Sequence, residues 1–269
     1  MESVVVLKIG GNIIDDEAAL ASVLDQFADL SVRKILVHGG GKSANELAAK
    51  LQIPQTVLEG RRVTDSETLK IAVMVYAGLI NKNLVAQLQK RKVNALGVTG
   101  ADGNLILAKK REVTTQVDFG WVGDVSEVNL SQCAEWLNQS MTLVVAPITH
   151  DGNGALLNTN ADTIARELAK SLSKQFHVSL IFAFERSGVL QDVRDDSSRL
   201  SEITPSLYQK LKSEEKIFSG MIPKLDNAFA AIAAGVDRVV IGRAENFTDL
   251  LTGKSGTLLK RDLEKVKNG

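Results

Sequence analysis

Four small groups of residues in this chain have types and spacing suited to chemistry on an anion. Lys8 interrupts the apolar run Val4-Val5-Val6-Leu7-Lys8-Ile9, and Gly10-Gly11 follows at once. A buried ammonium without an anion is costly. Lys8 is therefore either an edge-strand lysine reaching back to water or a cation aimed at a phosphate on the glycine turn. Glycine turns at the carboxyl ends of buried strands leave backbone N–H groups unpaired at the head of a helix, where they can hold an oxyanion. Gly10-Gly11 and Gly39-Gly40-Gly41 have that form, and both are plain tight turns if nothing binds. Asp162 closes the segment Asn158-Thr159-Asn160-Ala161-Asp162, in which each polar residue alone is an ordinary helix cap. Lys224 follows Pro223 at a helix start, where the helix dipole disfavours positive charge. A bound anion would resolve that conflict.

Other signals fail on spacing. Gly253-Lys254-Ser255 ends like a P-loop, but Thr248 stands where the first glycine is required. Gly39 to Ala44, with Glu59 further on, nominally fits a dinucleotide fingerprint, yet that turn follows the second strand rather than the first. Three histidines and one cysteine make no zinc site at usable spacing. His38 is either a general base or a structural residue beside the glycine turn, and Cys133, on an apolar helix face, reads as core.

These residues need strands and helices to hold them. Val4 to Ile9 and Ile35-Leu36-Val37 are continuous apolar runs of the kind buried on both faces. Leu20, Val23, Leu24 and Phe27 recur at helical spacing behind the acidic turn Asp15-Asp16-Glu17. Ser43 and Glu46 have capping-box spacing at the head of the next helix. A small hairpin is expected from Thr56 to Thr64 around Glu59-Gly60, then a helix from Ser66 to Gln89 and a strand from Ala95 to Val98. One or two hairpins follow between Thr99 and Glu127, then a helix Ser131 to Asn138 and a strand Leu143 to Ala146. Thr149 to Thr159 reads as a polar loop before a helix from Asn160 to Leu172. The remainder continues with a strand Val178 to Phe184, helices Ser206 to Leu211 and Pro223 to Ala234, and strands Val239 to Ile241 and Thr257 to Leu259. Repeated strand–glycine–helix units imply an α/β fold with right-handed crossovers.

The 269 residues include 44% apolar and only 4% aromatic, which suits a core of Ala, Val, Leu and Ile in a three-layer αβα sandwich around a mainly parallel sheet. No linker rich in Pro, Gly or Ser divides the chain, so two lobes, 1–174 and 175–269, are expected to share one sheet. Thirty-two Lys and Arg balance thirty-two Asp and Glu, leaving no net field for nucleic acid or an anionic membrane. No apolar run approaches the roughly 20 residues that cross a bilayer. A lone cysteine and the absence of a secretory n-region and h-region point to the cytoplasm.

In order, the segments VVLKIGGNII, ILVHGGGK, LEGRRVTD, DFGWVGDVSEVN, LNTNAD and GMIPK resemble the amino acid kinase family, within it the acylglutamate branch, over nearly the whole chain. The resemblance implies the amino acid kinase fold and ATP-dependent phosphorylation of the γ-carboxylate of an N-acylglutamate. Lys8 and Lys224 would neutralise the transferring phosphoryl group, with Asp162 holding both. Gly11, Gly40 and Gly41 would cradle phosphoryl or carboxylate oxygens, while Arg62 and Asn158 would grip the α-carboxylate and acylamide. Arginine suits such a clamp because its planar fork meets a carboxylate bidentately.

The first lobe would bind the acyl amino acid and form the dimer, and the second would bind ATP. The nucleotide would meet Gly10, the loop Glu185, Arg186, Ser187, Gly188, Val189 and Leu190, and the segment Lys216, Ile217 and Phe218. Mg²⁺ would be carried by the nucleotide, with no metal held by protein ligands. Where the family commonly shows TDV-x-G or SDV-x-G, this chain has Phe184-Glu185-Arg186-Ser187-Gly188. With Lys8 so near Met1, the expectation is a homodimer without the extra N-terminal helix of the arginine-inhibited relatives. Two rivals share the residues: a kinase of the same family acting on N-succinylglutamate or N-acetylaminoadipate, and a non-catalytic effector-binding module on the same fold.

Overall fold

The computed structural model describes residues 1–58, 61–113, 117–192, 194–217 and 221–262. Its strands, in chain order, are β1 (Ser3–Ile9), β2 (Arg33–His38), β3 (Val57–Leu58), β4 (Arg61–Arg62), β5 (Ala95–Val98), β6 (Ile106–Lys110) and β7 (Gly123–Val128). They continue with β8 (Thr142–Val145), β9 (Ile148–His150), β10 (Leu156–Asn158), β11 (His177–Phe184), β12 (Glu202–Ile203), β13 (Arg238–Arg243) and β14 (Thr257–Leu259).

Eight of these form one sheet in the order β12-β14-β13-β11-β1-β2-β8-β5. Every neighbouring pair in it is parallel except β13 with β14. The strands that follow residue 174 occupy one side of β1, and the earlier ones occupy the other. Burial of both faces of β1 explains why its sequence is apolar from Val4 to Leu7. Val4 and Val6 pack with Leu180, Ile164 and Leu168 on one face, while Val5, Leu7 and Ile9 pack with Leu24, Phe27 and Val75 on the other. Helices Ala161–Leu172 and Ile222–Ala233 cover the first face, and helices Glu17–Ala28 and Phe247–Thr252 lie over the second, so the molecule has the expected three layers. By the same alternation Lys8 belongs to the face covered by Ala161–Leu172.

The carboxyl ends of β1 and β2 open into the two glycine turns in the middle of the sheet, where open α/β folds take their ligands. Above them lies a four-stranded sheet, β10-β9-β6-β7, and the two-stranded hairpin β3-β4. The turn expected at Glu59-Gly60 lies outside the described residues.

Some elements differ from the sequence reading. Helix Gly41–Lys50 begins three residues earlier than a Ser43 cap would start it, at an N-cap formed by Gly40; the Ser43 hydroxyl instead donates to Asp15 at 3.0 Å. Thr149 to Thr159 is not a loop but the hairpin β9-β10, whose polar tip is closed by Asp151 accepting from the amides of Asn153 and Ala155. Helix Phe247–Thr252 and the short strand β12 had no expected counterpart. The residues from Ser66 to Lys90 make one continuous helix of 25 residues, long and apolar enough by length and composition to cross a membrane, contrary to the sequence reading. Its apolarity has another use here. Ile71, Val75, Tyr76, Ile80, Leu84 and Leu88 are buried against the sheet.

Candidate active site

Helix Ala161–Leu172 begins with an N-cap that suits its sequence. The Asn160 side chain accepts from the amides of Asp162, at 2.8 Å, and Thr163, at 3.1 Å. Asp162 thus sits in the first turn, where the helix dipole favours a carboxylate. Its Oδ1 lies 2.7 Å from Lys8 Nζ, an ion pair off the hydrogen-bonding direction, and Lys224 Nζ donates to its Oδ2 at 3.2 Å. Lys8 and Asp162 are each 7% exposed.

Burial works against both charges, and the outcome differs for each. For Asp162 burial pushes the carboxyl up, but the fields of Lys8 and Lys224 outweigh it and hold the pKa at about 2. For Lys8 burial is the larger influence and lowers the ammonium from its ordinary value, with the Asp162 carboxylate opposing. One ionised carboxylate therefore serves two cations, and among the described residues the second cation has no anion of its own.

Lys8, Asp162 and the glycines Gly11, Gly39, Gly40 and Gly41 line a cleft of about 270 Å³. Arg62 and Asn158 line it too. Arg62 donates to Asn45 at 2.6 Å, to Gln55, and to the Gly41 carbonyl at 3.0 Å, while Asn158 donates to Thr64 at 3.0 Å. Gly40 adopts φ +149°, and a Cβ there would lie 2.2 Å from the Ile80 side chain and about 3.2 Å from the Tyr76 ring. A larger residue there is strained by the backbone conformation and would have to displace the Ile80 side chain.

Lys224 lines a second cleft, of about 700 Å³, with Glu185, Arg186, Gly188, Val189, Leu190, Lys216 and Ile217. Gly10 and Ser187 are outside both linings, and Phe218 is not among the described residues. The Asp162–Lys224 contact is thus where the two clefts meet. Among the described residues, no group of three or more His, Cys, Asp or Glu side chains could hold a metal ion.

Sequence reasoning passed over Tyr76, Arg61, Arg111 and Asp124, all of which line the smaller cleft. Arg61 was legible as the partner of Arg62 in a basic doublet, whereas the approach of Tyr76 to the Gly40 turn has no local signal in the sequence. Arg111 closes the run Lys109-Lys110-Arg111 and reads as a solvated charge until the register of β6 and β7 is known. His38 is structural: fully buried, its ring bonds Gly39 O at 2.8 Å and Asn81 at 3.3 Å. Cys133 is in the core, and burial pushes its thiol up to about 12.

The chain is a mainly parallel α/β sandwich that brings two lysines to one carboxylate, between a glycine-walled cleft and a larger one. Comparison with known proteins gives its family. The model of the amino acid kinase family matches residues 3–243, and the chain belongs to that family. It is 53% identical over 251 residues to a protein of Cytophaga hutchinsonii named acetylglutamate kinase, covering 93% of this chain and 95% of that one. The acetylglutamate kinase of Bacteroides thetaiotaomicron is 50% identical over 260 residues, covering 97% and 99%. Among solved structures, the smu.665 protein of Streptococcus mutans superimposes with a TM-score of 0.80 at 28% identity, covering 96% of this chain and 98% of that one.

Proposed function

We propose that the protein transfers the γ-phosphoryl group of ATP to the γ-carboxylate of an N-acylglutamate, N-acetyl-L-glutamate first among them, giving the acyl phosphate and ADP in a step of arginine biosynthesis. The observation that carries this reading is the Lys8–Asp162–Lys224 cluster at the junction of two clefts. Relatives half identical over nearly the full chain and named acetylglutamate kinase support it.

The chemistry needs little beyond placement and positive charge. A γ-carboxylate, with a reference pKa near 4.3, is ionised at neutral pH and attacks without a general base. One of its oxygens forms the new bond to phosphorus as the bond to the β,γ-bridging oxygen breaks, and ADP leaves with that electron pair; no proton moves. The obstacle is repulsion between anions, which fixed cations and amides lower in a water-poor cleft. Lys8 and Lys224 supply the cations. Asp162 fixes their positions and, being spent on them, is a poor metal ligand, so Mg²⁺ enters on the ATP phosphates. The acceptor occupies the smaller cleft against Arg62 and Asn158, and the nucleotide the larger one.

A cytoplasmic homodimer belongs to the same reading. Met74, Gly78 and Leu79 form an exposed, largely apolar strip on the helix whose opposite face packs on Gly40, and sedimentation of the purified protein as a monomer would remove the dimer. The reaction itself is tested by ADP release and by hydroxylamine trapping of the acyl phosphate. The panel is N-acetylglutamate, other N-acylglutamates, free glutamate, aspartate and N-acetylaminoadipate. Turnover of N-acylglutamates above the rest is expected; turnover of none of them defeats the proposal.

A further inference from the structure

The smaller cleft holds more positive charge than the proposed reaction uses. Of the cations that line it, Lys8 is taken by the phosphoryl group and Arg62 by the clamp, which leaves Arg61 and Arg111. Arg111 is half committed. Its Nε donates to Asp124 at 3.0 Å, its Nη2 donates to the other oxygen of the same carboxylate, and its guanidinium lies 5.3 Å from the centre of the Phe119 ring. That grip fixes the plane of the fork. The remaining nitrogen, Nη1, is buried and has no hydrogen-bond partner.

A buried charged donor left unsatisfied is costly, and it calls for an acceptor from whatever fills the space. Arg61 lines the same cleft, and its charge reaches Asp124 together with that of Arg111. Among the described residues, two guanidiniums against one carboxylate leave a positive charge in the lining with no protein anion to meet it.

We propose that Arg111, with Arg61 beside it, forms a second carboxylate subsite, which binds a carboxylate of the acceptor other than the one that is phosphorylated. This rests on the acceptor class proposed above. Asp124 is the positioning residue: it occupies two of the three guanidinium nitrogens and leaves the buried Nη1 as the one without a partner. Two sources supply such a group. One is the α-carboxylate, shared with Arg62; the other is a carboxylate at the far end of a dicarboxylic acyl group.

The test compares wild type, Arg111→Ala and Arg111→Lys by ADP release, with thermal melting to check the fold. Three acceptors keep the reacting γ-carboxylate: N-acetyl-L-glutamate, N-succinyl-L-glutamate, and N-acetyl-L-isoglutamine, which has an amide in place of the α-carboxylate. Loss of a charge-assisted hydrogen bond raises KM by about 10- to 100-fold, with kcat within about two-fold and with Arg111→Lys between the extremes. The effect spares N-acetyl-L-isoglutamine. A rise for both other acceptors assigns the subsite to the α-carboxylate, and a rise confined to N-succinyl-L-glutamate assigns it to the acyl end. An unchanged KM throughout, or an equal rise that includes the amide, overturns the subsite while leaving the kinase reading intact. Should Arg111→Ala fail to fold, the same comparison is read from Arg111→Lys. Failure of wild type to turn over any of the three overturns both.

Discussion

At the scale of residues, the centre of the molecule is a carboxylate that does not react. Asp162 is valuable because it is ionised, with a pKa held at about 2, and buried, so that its two oxygens fix two ammonium groups. Removing a lysine leaves Asp162 with one partner; removing Asp162 strands two cations, a larger penalty for a buried group. Lys8→Ala and Lys224→Ala are therefore expected to stay folded and to lose kcat by about 10²-fold or more, the scale of one lost electrostatic stabiliser. Steady-state ADP release alongside a melting curve separates the two effects, and near-wild-type turnover in either variant excludes that lysine from the reaction. Lys8 and Lys224 were legible individually as charges in the wrong place, a lysine in a buried strand and a lysine at a helix start, whereas Asp162 read alone as an ordinary capping residue. Their meeting was legible only through the family resemblance, because 154 and then 62 residues separate them and no local pattern joins them.

Elements convert those positions into geometry, and the short helix turn at Asn160 does it for Asp162. Asn160 accepts from the amide of Asp162 itself, so the cap sets the direction of the Lys8–Asp162–Lys224 cluster as well as the helix start. Asn160→Ala should cost about 1 kcal/mol of stability and also lower kcat, measured by denaturant melts and ADP release. Loss of stability with unchanged kcat would mean that the cap serves the helix alone.

The elements that sequence made legible were those whose pattern is local and repeated. The buried strands, the helix Glu17–Ala28 with its Asp16 cap, and the helix Ala161–Leu172 are of this kind. The hairpin β9-β10 was missed because its tip, Asp151-Gly152-Asn153-Gly154, is too polar and too long a turn to reveal the two three-residue strands on either side. The Ser43 capping box misled because its spacing is correct but Gly40, with its left-handed φ, starts the helix first. Arg111 and Asp124 entered the cleft only through the pairing of β6 with β7, a long-range register that no local pattern encodes.

Over the whole molecule, a balanced charge count conceals where stability depends on protons. Lys82 donates to Asn81 Oδ1 at 3.0 Å, which turns the Asn81 amide nitrogen toward His38 Nε2 and Val144 O. His38 Nδ1 faces the Gly39 carbonyl, so the neutral ring carries its proton on Nδ1 and accepts at Nε2. A second proton would set donor against donor in a fully buried site. Burial, only partly offset by the Gly39 contact, accordingly lowers the pKa from 6.5 to about 4.

Between those two values the unfolded chain binds the proton that the native state refuses. Stability therefore falls as pH drops from 6.5 toward 4. Asp162 contributes in the same direction but in a lower window, from 3.8 down to about 2, where its carboxylate and with it both ion pairs are lost. The two steps can be separated by measuring unfolding free energy in urea across pH for wild type and His38→Gln. The variant should be less stable at neutral pH yet flatter between 6.5 and 4, with the acid-side loss below 3.8 retained. An identical slope in the upper window would show that His38 is not what the fold loses there, and would move the origin of acid sensitivity away from the turn that Gly39, Gly40 and Gly41 make above the sheet.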